Sequence, residues 1–590
     1  MAVWLGAFIV GSAALRYLQL ADVIPVPWIF PDELRYAELA KSFGTSGHFA
    51  LREVPFHELS YGLMYPVAIS PAYALTDNLP QAYAIARAIS CALMALAALP
   101  VYLLGRRVLS PGLALIGALL AIEIPSMAYS ATIMTENLFY PAFLFAVLAI
   151  VLAVEHPTTL RQLGALAAIA FVVLTRLEGL ALVPAYLSAV MIFAWLDARQ
   201  ARPSKPFARQ LAAYRVTGAL VVVGALALGA FEVVRSKHVS SVLGAYEALA
   251  GRYSLAEIPR WFLYHLADLD LYVGFVPFAA AIILAVGVLR GRERSRQVRA
   301  LVAVSLGVFF WLTLLVSAYA SAVHRPTDRL YERYVFHLVP LLLIAMLVRL
   351  QDGSARRSRL VVGAVAVAGV LPALIPFHAV VNNNMRATSP GLLPWAGFSK
   401  SLAAPSYAWA IALGLGVVAG VLFLAVPKRY RLVFPAILLL NFLVVGFFVT
   451  AHYARISSAA ASAGAASERD WIDRAVGRDA TVAAVWPGRL HRGLEGRYAI
   501  WENELFNETI GPIYDLREPL KYLLPETRVR VDPASGVISD FNGRAISARY
   551  VLSDRTFPLL GRVVARDART GVVLYETGGI VRAARVPAGT

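Results

Sequence analysis

The chain has 590 residues, of which 59% are hydrophobic and only 15% charged, and its mean hydropathy is +0.64. A soluble domain carries about 25% charged residues, so this composition excludes a soluble enzyme and a disordered protein and indicates an integral membrane protein. The net charge of +17 would suit a nucleic-acid-binding protein, but the basic residues form short clusters between apolar runs rather than one basic surface, so we expect no nucleic-acid partner. The single cysteine, Cys91, excludes an intrachain disulfide, a CxxC zinc site and a disulfide-rich secreted domain.

Apolar segments recur through the first three quarters of the chain. Because a helix needs about 20 mostly apolar residues to cross a bilayer, they predict a polytopic α-helical membrane protein with about thirteen spans. The segments are 3–22, 86–104, 111–127, 138–154, 162–175, 179–196, 216–234, 272–289, 300–322, 335–349, 360–378, 408–426 and 432–451. Residues 162–196 would also fit one bent hairpin. Residues 1–22 have no basic start and no small-residue cleavage site, so we interpret them as a retained helix.

Basic residues alternate between the loops and predict the orientation of the chain. Roughly twenty basic and about four acidic residues occupy one set of loops, which we expect in the cytoplasm: Arg106-Arg107, Arg161, 197–215, 290–299, 349–359 and 428–431. The other loops are then external: 23–85, 128–137, 235–271, 323–334 and 379–407. An odd number of spans also puts the residues from about 452 onward outside.

The C-terminal part changes character. Residues 457–467 are rich in Ala and Ser and are interpreted as a pliable or weakly helical linker after a membrane domain at 1–456. Residues 468–590 are more polar and long enough for one small extracytoplasmic α/β domain. A helix is predicted at about 467–476, and strands are predicted at 480–486, 548–554 and 571–577.

Two acidic residues open the first external loop. Asp32 and Glu33 follow Pro31 and begin a predicted helix whose apolar side is formed by Tyr36, Leu39, Ala40 and Phe43. We expect this amphipathic helix at the outer surface of the membrane. The two acids have two interpretations. Either they cap the helix and interact favourably with the positive end of its dipole, or they include a general base that takes a proton from an acceptor hydroxyl.

Other charged residues lie at the same predicted boundary. Glu136 precedes the fourth span, and Arg176 and Glu178 stand between two short apolar runs, where they form either a mutual ion pair or an anion site. Arginines are unusual in an external loop, yet one such loop holds three of them, Arg325, Arg329 and Arg333. A guanidinium grips phosphate well through its fork of donors.

The order of these motifs resembles a known family. "PDELRYAELAKSF" (31–43) is similar to the first-loop motif of the GT-C superfamily of membrane glycosyltransferases, particularly the protein mannosyltransferases and the bacterial aminoarabinose (lipid A) transferases. "RAISCALMALAALPVYLLGRRVLS" (87–110), "MTENLFYP" (134–141) and "TRLEGL" (175–180) resemble later elements. Such enzymes transfer a sugar from a polyprenyl-phosphate donor to an acceptor outside the cytoplasm.

The resemblance implies roles for particular residues. Asp32 matches the catalytic base, with Glu33 beside it, and Glu136 matches the second acidic position. Arg176 and Arg333 match, more loosely, residues that approach the lipid phosphate. No cofactor is implied with certainty, and the lack of a clear DxD triplet leaves divalent metal as an open alternative. The expected partners are the lipid-linked donor, a glycan, lipid or protein acceptor, and membrane lipids.

Two other function classes are compatible with many spans. A transporter or flippase of a lipid-linked sugar usually carries ionisable residues or broken helices near the bilayer midplane, whereas the acids here gather at one rim. A non-catalytic anchor for the C-terminal domain is the third interpretation. The Ala- and Arg-rich composition is typical of a bacterial protein, so we expect a multi-pass protein of the bacterial inner (plasma) membrane.

Overall fold

The structure is a computed structural model of the chain. It describes residues 1–26, 32–52, 54–56, 61–200, 207–235, 252–293, 295–323, 328–352, 358–382, 385–401, 407–486, 494–516 and 524–585.

The described residues up to 464 are mostly helical. The helices are α1 (Ala2–Val23), α2 (Asp32–Ser46), α3 (Met64–Ile69), α4 (Pro71–Ala74), α5 (Leu79–Ala95), α6 (Ala98–Arg106), α7 (Pro111–Ile122), α8 (Glu136–Glu155), α9 (Thr159–Thr175), α10 (Leu182–Gln200), α11 (Phe207–Ala212), α12 (Arg215–Arg235), α13 (Ile258–Tyr272), α14 (Val276–Leu289), α15 (Arg296–Val323), α16 (Glu332–Val335), α17 (Val339–Asp352), α18 (Arg359–Val370), α19 (Phe377–Val380), α20 (Met385–Thr388), α21 (Leu393–Ser401), α22 (Ala408–Ala425) and α23 (Val433–Gly464).

The predicted polytopic helical fold is confirmed, but thirteen full spans are not established. Within the described residues, eight helices are long and apolar enough to cross a membrane, and up to ten segments qualify if each of two bent helix pairs is one span. The apolar helices near 159–175, 215–227 and 359–374 are shorter than a full span. Each predicted segment therefore contains a helix, and the difference lies in length.

One bent pair revises the loop that was predicted at 235–271. Residues 258–272 of that loop form α13, which meets α14 at an angle of 118°. The turn between them uses two positive φ angles, at Gly274 and at Phe275. Asp268 and Asp270 of α13 are buried, so the segment belongs to the packed interior and is not an exposed loop.

The last membrane helix continues far beyond its apolar part. Helix α23 has 32 residues and ends only at Gly464, so residues 457–464 of the predicted linker are helical. Alanine is the best helix-forming residue, and this stretch is rich in it. One serine of this stretch, Ser457, is fully buried and accepts a hydrogen bond of 3.1 Å from the N–H of Val26.

The C-terminal domain (described residues 468–585) is built on one sheet. Seven strands in the order β6-β5-β4-β3-β7-β9-β8 are accompanied by α24 (Trp471–Val476) and α25 (Leu494–Phe506). The strands are β3 (Val482–Trp486), β4 (Ile510–Asp515), β5 (Thr527–Val531), β6 (Ile538–Asp540), β7 (Ser547–Asp554), β8 (Arg562–Arg566) and β9 (Val572–Ile580), after a hairpin of β1 (Ala50–Leu51) and β2 (Val54–Pro55) in the first loop. Strands β5, β4, β3 and β7 are parallel to one another. Strand β6 is antiparallel to β5, and β9 is antiparallel to both β7 and β8. The predicted strands near 480–486, 548–554 and 571–577 all exist.

Helix α2 is more enclosed than a helix lying at a membrane surface. Seven of its residues are buried, including the charged Glu33 and Arg35. It packs against α3, α4 and β1, and α25 of the C-terminal domain contacts it as well. These contacts place the helix between other parts of the protein, and its position relative to the lipid stays a prediction.

Candidate active site

Asp32 is the first residue of α2 and is half-buried. Its Oδ1 accepts a hydrogen bond of 2.9 Å from the phenol of Tyr61. Burial raises the pKa of Tyr61 above its usual range, and the negative charge of Asp32 raises it further, so the phenol remains a proton donor. The neutral phenol of Tyr61 therefore orients Asp32, the candidate base, by a hydrogen bond to one carboxylate oxygen.

A close backbone approach brings Tyr61 to the other site residues. Its neighbour Gly62 has φ +76°, and a Cβ there would lie 2.3 Å from the carbonyl oxygen of Thr175. Only glycine fits both the left-handed conformation and this contact. The first loop is thereby pressed against the residue that precedes Arg176.

Glu136 begins α8 and is fully buried. Its Oε1 accepts a hydrogen bond from Nε of Arg333, and Nη1 of Arg176 lies 2.5 Å from the same oxygen. The two arginines come from distant parts of the chain, since Arg333 is 197 residues from Glu136. A buried carboxylate is retained at low cost only when cations compensate it, and here two of them do.

Arg176 has a second carboxylate partner. It donates from Nη2 to Oε1 of Glu178 at 3.0 Å and from Nε to Oε2 at 3.2 Å, and Nη1 donates to Thr135 at 3.1 Å. Its guanidinium also lies 5.1 Å from the ring centroid of Tyr334. We call Glu136, Arg176, Glu178 and Arg333 the arginine cluster; it holds two positive and two negative side chains in a buried setting.

Tyr36 connects Asp32 with the arginine cluster. Burial raises the pKa of Tyr36 above its usual range, and Asp32 and Glu136 raise it further, whereas Arg176 and Arg333 oppose the rise. One phenol of α2 therefore lies within the electrostatic field of four of the five residues selected from the sequence.

Glu33, the fifth residue selected from the sequence, makes a backbone contact instead. Glu33 is buried, and its Oε1 accepts a hydrogen bond of 3.0 Å from the backbone N–H of Ile133. This contact ties α2 to the segment before α8, which suits a positioning role better than proton transfer. Arg329 stacks at 5.7 Å on Tyr331, and Arg325 lies outside the described residues.

Tyr61 and Tyr334 belong to the site but were not selected from the sequence. Tyrosine is frequent in this chain, and no local spacing marks these two. In the part of the chain that the structure describes, no group of three or more His, Cys, Asp and Glu side chains is arranged to hold a metal ion.

Comparison with known proteins supports the family resemblance. Residues 62–224 match the family described as dolichyl-phosphate-mannose-protein mannosyltransferase. This segment includes Tyr61's neighbour Gly62, Glu136 and Arg176. No curated protein matches the chain significantly.

Solved structures match over a greater length. The crystal structure of ArnT from Cupriavidus metallidurans bound to undecaprenyl phosphate is 16% identical, with a TM-score of 0.51 and coverage of 98% of each chain. The archaeal oligosaccharyltransferase AglB from Archaeoglobus fulgidus, in complex with an inhibitory peptide and a dolichol-phosphate, is 13% identical, with a TM-score of 0.39 and coverage of 92% of this chain and 69% of that chain. The chain thus has a GT-C fold like that of ArnT, and its expected resemblance to the membrane glycosyltransferases of this superfamily is confirmed.

Proposed function

We propose that this protein transfers a sugar from a polyprenyl-phosphate-linked donor to a glycan, lipid or protein acceptor outside the cytoplasm. The observation that supports this most is the arrangement of a half-buried carboxylate, Asp32, beside a buried cluster containing two arginines. Inverting transfer needs a base beside the acceptor and cations beside the leaving group. In this arrangement Asp32 meets the first requirement and the two arginines meet the second.

In this proposal Asp32 is the base. Tyr61 holds its Oδ1, so the other lone pairs of the carboxylate are available to take the proton of the acceptor hydroxyl as its oxygen attacks the anomeric carbon. The bond from that carbon to the phosphate oxygen then breaks. Glu33 is a positioning residue that holds the helix against Ile133.

Arg176 and Arg333 stabilise the leaving phosphate. The donor leaves as an anionic phosphate monoester, and charge-assisted hydrogen bonds from guanidinium groups are among the strongest available to it. A guanidinium has five N–H donors, so it can engage Glu136 and a phosphate oxygen together. Glu136 therefore acts in this proposal as the fixed anchor of both arginines.

A transporter of a lipid-linked sugar is the second candidate. It is favoured by the bent pair α13 and α14, whose Asp268 and Asp270 are buried, because transporters often bind their substrates at broken helices with ionisable residues. Movement of donor across vesicles without transfer of its sugar would favour this candidate.

The test is transfer of radiolabelled sugar by the purified full-length protein, with a panel of polyprenyl-phosphate hexoses and pentoses and with or without EDTA. Asp32→Asn keeps the size of the side chain but cannot take the proton, so we expect transfer to fall by about two orders of magnitude or more. Asp77→Asn is the matched control, because Asp77 is an exposed carboxylate of the same loop. Wild-type activity in Asp32→Asn would exclude Asp32 as the base, and no transfer with any donor would contradict the proposed function.

A further inference from the structure

Arg52 of the first loop is bound by the C-terminal domain. It donates to both carboxylate oxygens of Glu504, from Nε at 2.5 Å and from Nη2 at 2.7 Å, and from Nη1 to the carbonyl of Pro525 at 2.6 Å. The side chains of Arg52 and Glu504 are only 3% and 2% exposed. We call this contact the Arg52 clamp; it joins residues 452 positions apart.

The backbone of Arg52 is adapted to this contact. Its φ is +49°, a left-handed conformation that residues other than glycine, Asn and Asp rarely adopt. Such a conformation persists only where surrounding contacts stabilise it. Arg52 lies in the turn between β1 and β2, and the hydrogen bonds of its side chain stabilise its backbone conformation.

Contacts lead from the hairpin that carries Arg52 to Asp32. Phe56 follows the hairpin, and its ring lies 5.1 Å from the guanidinium of Arg35 and 6.0 Å from the ring of Tyr61. Arg35 in turn lies 3.5 Å from the ring centroid of Tyr61. Tyr61 donates the hydrogen bond that orients Asp32.

The chain that enters α2 is also held by residues beyond position 456. Arg469 donates to the carbonyl of Pro25 at 2.6 Å, and Ser457 accepts from the N–H of Val26 at 3.1 Å. The C-terminal domain and the helix leading to it therefore hold the first loop on both sides of Asp32.

Helix α2 itself faces the clamp. Burial raises the pKa of Glu38; Lys41 opposes this rise, Glu504 adds to it and Arg52 lowers it again. The clamp residues are thus close enough to act on a carboxyl six residues beyond Asp32 on the same helix.

We propose that Arg52 and Glu504 are positioning residues of the transfer reaction, which fix the first loop so that Tyr61 and Asp32 keep their reactive geometry. This inference rests on the proposed function. It assigns to the C-terminal domain a part in the chemistry, through the orientation of the base, in addition to any contact with the acceptor.

The test compares clamp variants of the full-length protein. Arg52→Asn removes the clamp and suits the left-handed backbone, so it leaves the hairpin conformation intact. We expect sugar transfer per binding site for polyprenyl phosphate to fall at least tenfold, while the Kd of polyprenyl phosphate changes less than twofold. Arg52→Lys keeps the charge without the fork and should be intermediate, and Glu504→Gln should resemble Arg52→Asn.

The transfer rate per binding site, compared with the Kd of polyprenyl phosphate, separates positioning from mere loss of folded protein. A positioning residue lowers the rate at unchanged Kd, whereas loss of folded protein lowers the number of binding sites. Normalisation to polyprenyl phosphate binding sites counts folded molecules only. Arg562→Asn is the matched control, because it breaks an exposed ion pair with Glu576 in the same domain and should leave the rate per site and the Kd unchanged.

Failure of this inference and failure of the proposed function give different results. Wild-type transfer per site in both Arg52→Asn and Glu504→Gln would overturn this inference, even if Asp32→Asn is inactive. Wild-type transfer in Asp32→Asn would instead overturn the proposed function on which it rests, whatever the clamp variants do.

Discussion

Two buried glutamates occupy opposite electrostatic settings in this molecule. Glu136, in the arginine cluster, is fully buried and paired with Arg176 and Arg333. Glu502, on α25 where the C-terminal domain meets the first loop, is 2% exposed, and neither of its carboxylate oxygens has a hydrogen-bond partner among the described residues. The membrane part thus retains a buried charge by pairing it with cations, whereas the described part of the C-terminal domain offers the buried Glu502 no hydrogen bond.

The expected charge states follow from these settings. Burial raises the pKa of Glu502 well above its usual range; Arg469 opposes the rise, and Glu33 adds to it. A carboxyl whose ionisation is disfavoured by burial therefore lies at the domain junction, beside the loop that carries Asp32. Glu136 has two guanidinium partners, so the paired charges are concentrated in the cluster that we propose as the phosphate site.

The largest effect is expected from Glu136→Gln. It leaves two buried arginines with one fewer carboxylate, and loss of one partner of a buried ion pair costs about 3–5 kcal/mol. Thermal unfolding in detergent should show a lower midpoint, and sugar transfer should be lost. The matched control is Glu468→Gln, which affects an exposed pair with Arg474 and should change stability by less than about 0.5 kcal/mol. Equal midpoints for the two variants would show that Glu136 does not balance the cluster.

Substitutions of Arg333 test whether the cluster serves a phosphate. Arg333→Ala should raise the KM for the donor by at least about tenfold, because a hydrogen bond to a charged group is worth about 1.5–3 kcal/mol. Arg333→Lys keeps the charge and loses only the fork, so its effect should be smaller. Steady-state kinetics with a single donor measure both. The same KM in both variants, or no change in either, would remove Arg333 from the donor site.

The smallest effect, and the only stabilising one, is expected from Glu502→Gln. Because the folded-state pKa of Glu502 is raised, folding favours its protonated form. Wild-type stability should therefore fall as pH rises above the unfolded-state pKa of about 4.3. The amide has no such dependence, so the variant should exceed wild type by about 1 kcal/mol or more at pH 8.

Unfolding midpoints measured from pH 5 to pH 8 check this prediction. The gap between Glu502→Gln and wild type should widen with pH, while the exposed Glu508→Gln control should follow wild type. Parallel curves for Glu502→Gln and wild type would mean that Glu502 is as well compensated as Glu136.

Much of the helical architecture could be predicted, because apolar runs of membrane length are a local signal. The small residues of 457–467 suit a pliable and a weakly helical linker alike, so the sequence left both open. The contact between Ser457 and Val26 could not be predicted, because it joins distant parts of the chain. The buried helix α13 was missed because Asp268 and Asp270 gave its sequence the polarity of a loop.

The site could be predicted as a set of residues but not as an arrangement. Arg176 and Glu178 are two positions apart, and their predicted pairing exists. The convergence of Arg176 and Arg333 on one oxygen of Glu136 joins three distant segments, and no spacing indicates it. The Arg52 clamp is equally non-local, and its Glu504 lies in a domain that had no recognisable role.

Helix α23 has a mechanical consequence for the whole molecule. Its 32 residues correspond to a rod of about 48 Å, while the hydrocarbon core of a bilayer is about 30 Å thick. The C-terminal domain is thus joined to the membrane part by one continuous helix rather than by a flexible tether. Helices respond to bilayer thickness by tilting, and Ser457 of this helix is hydrogen-bonded to Val26 of the first loop. We therefore expect bilayer thickness to change the position of that loop, which carries Asp32, and reconstitution in short- and long-chain lipids tests this expectation.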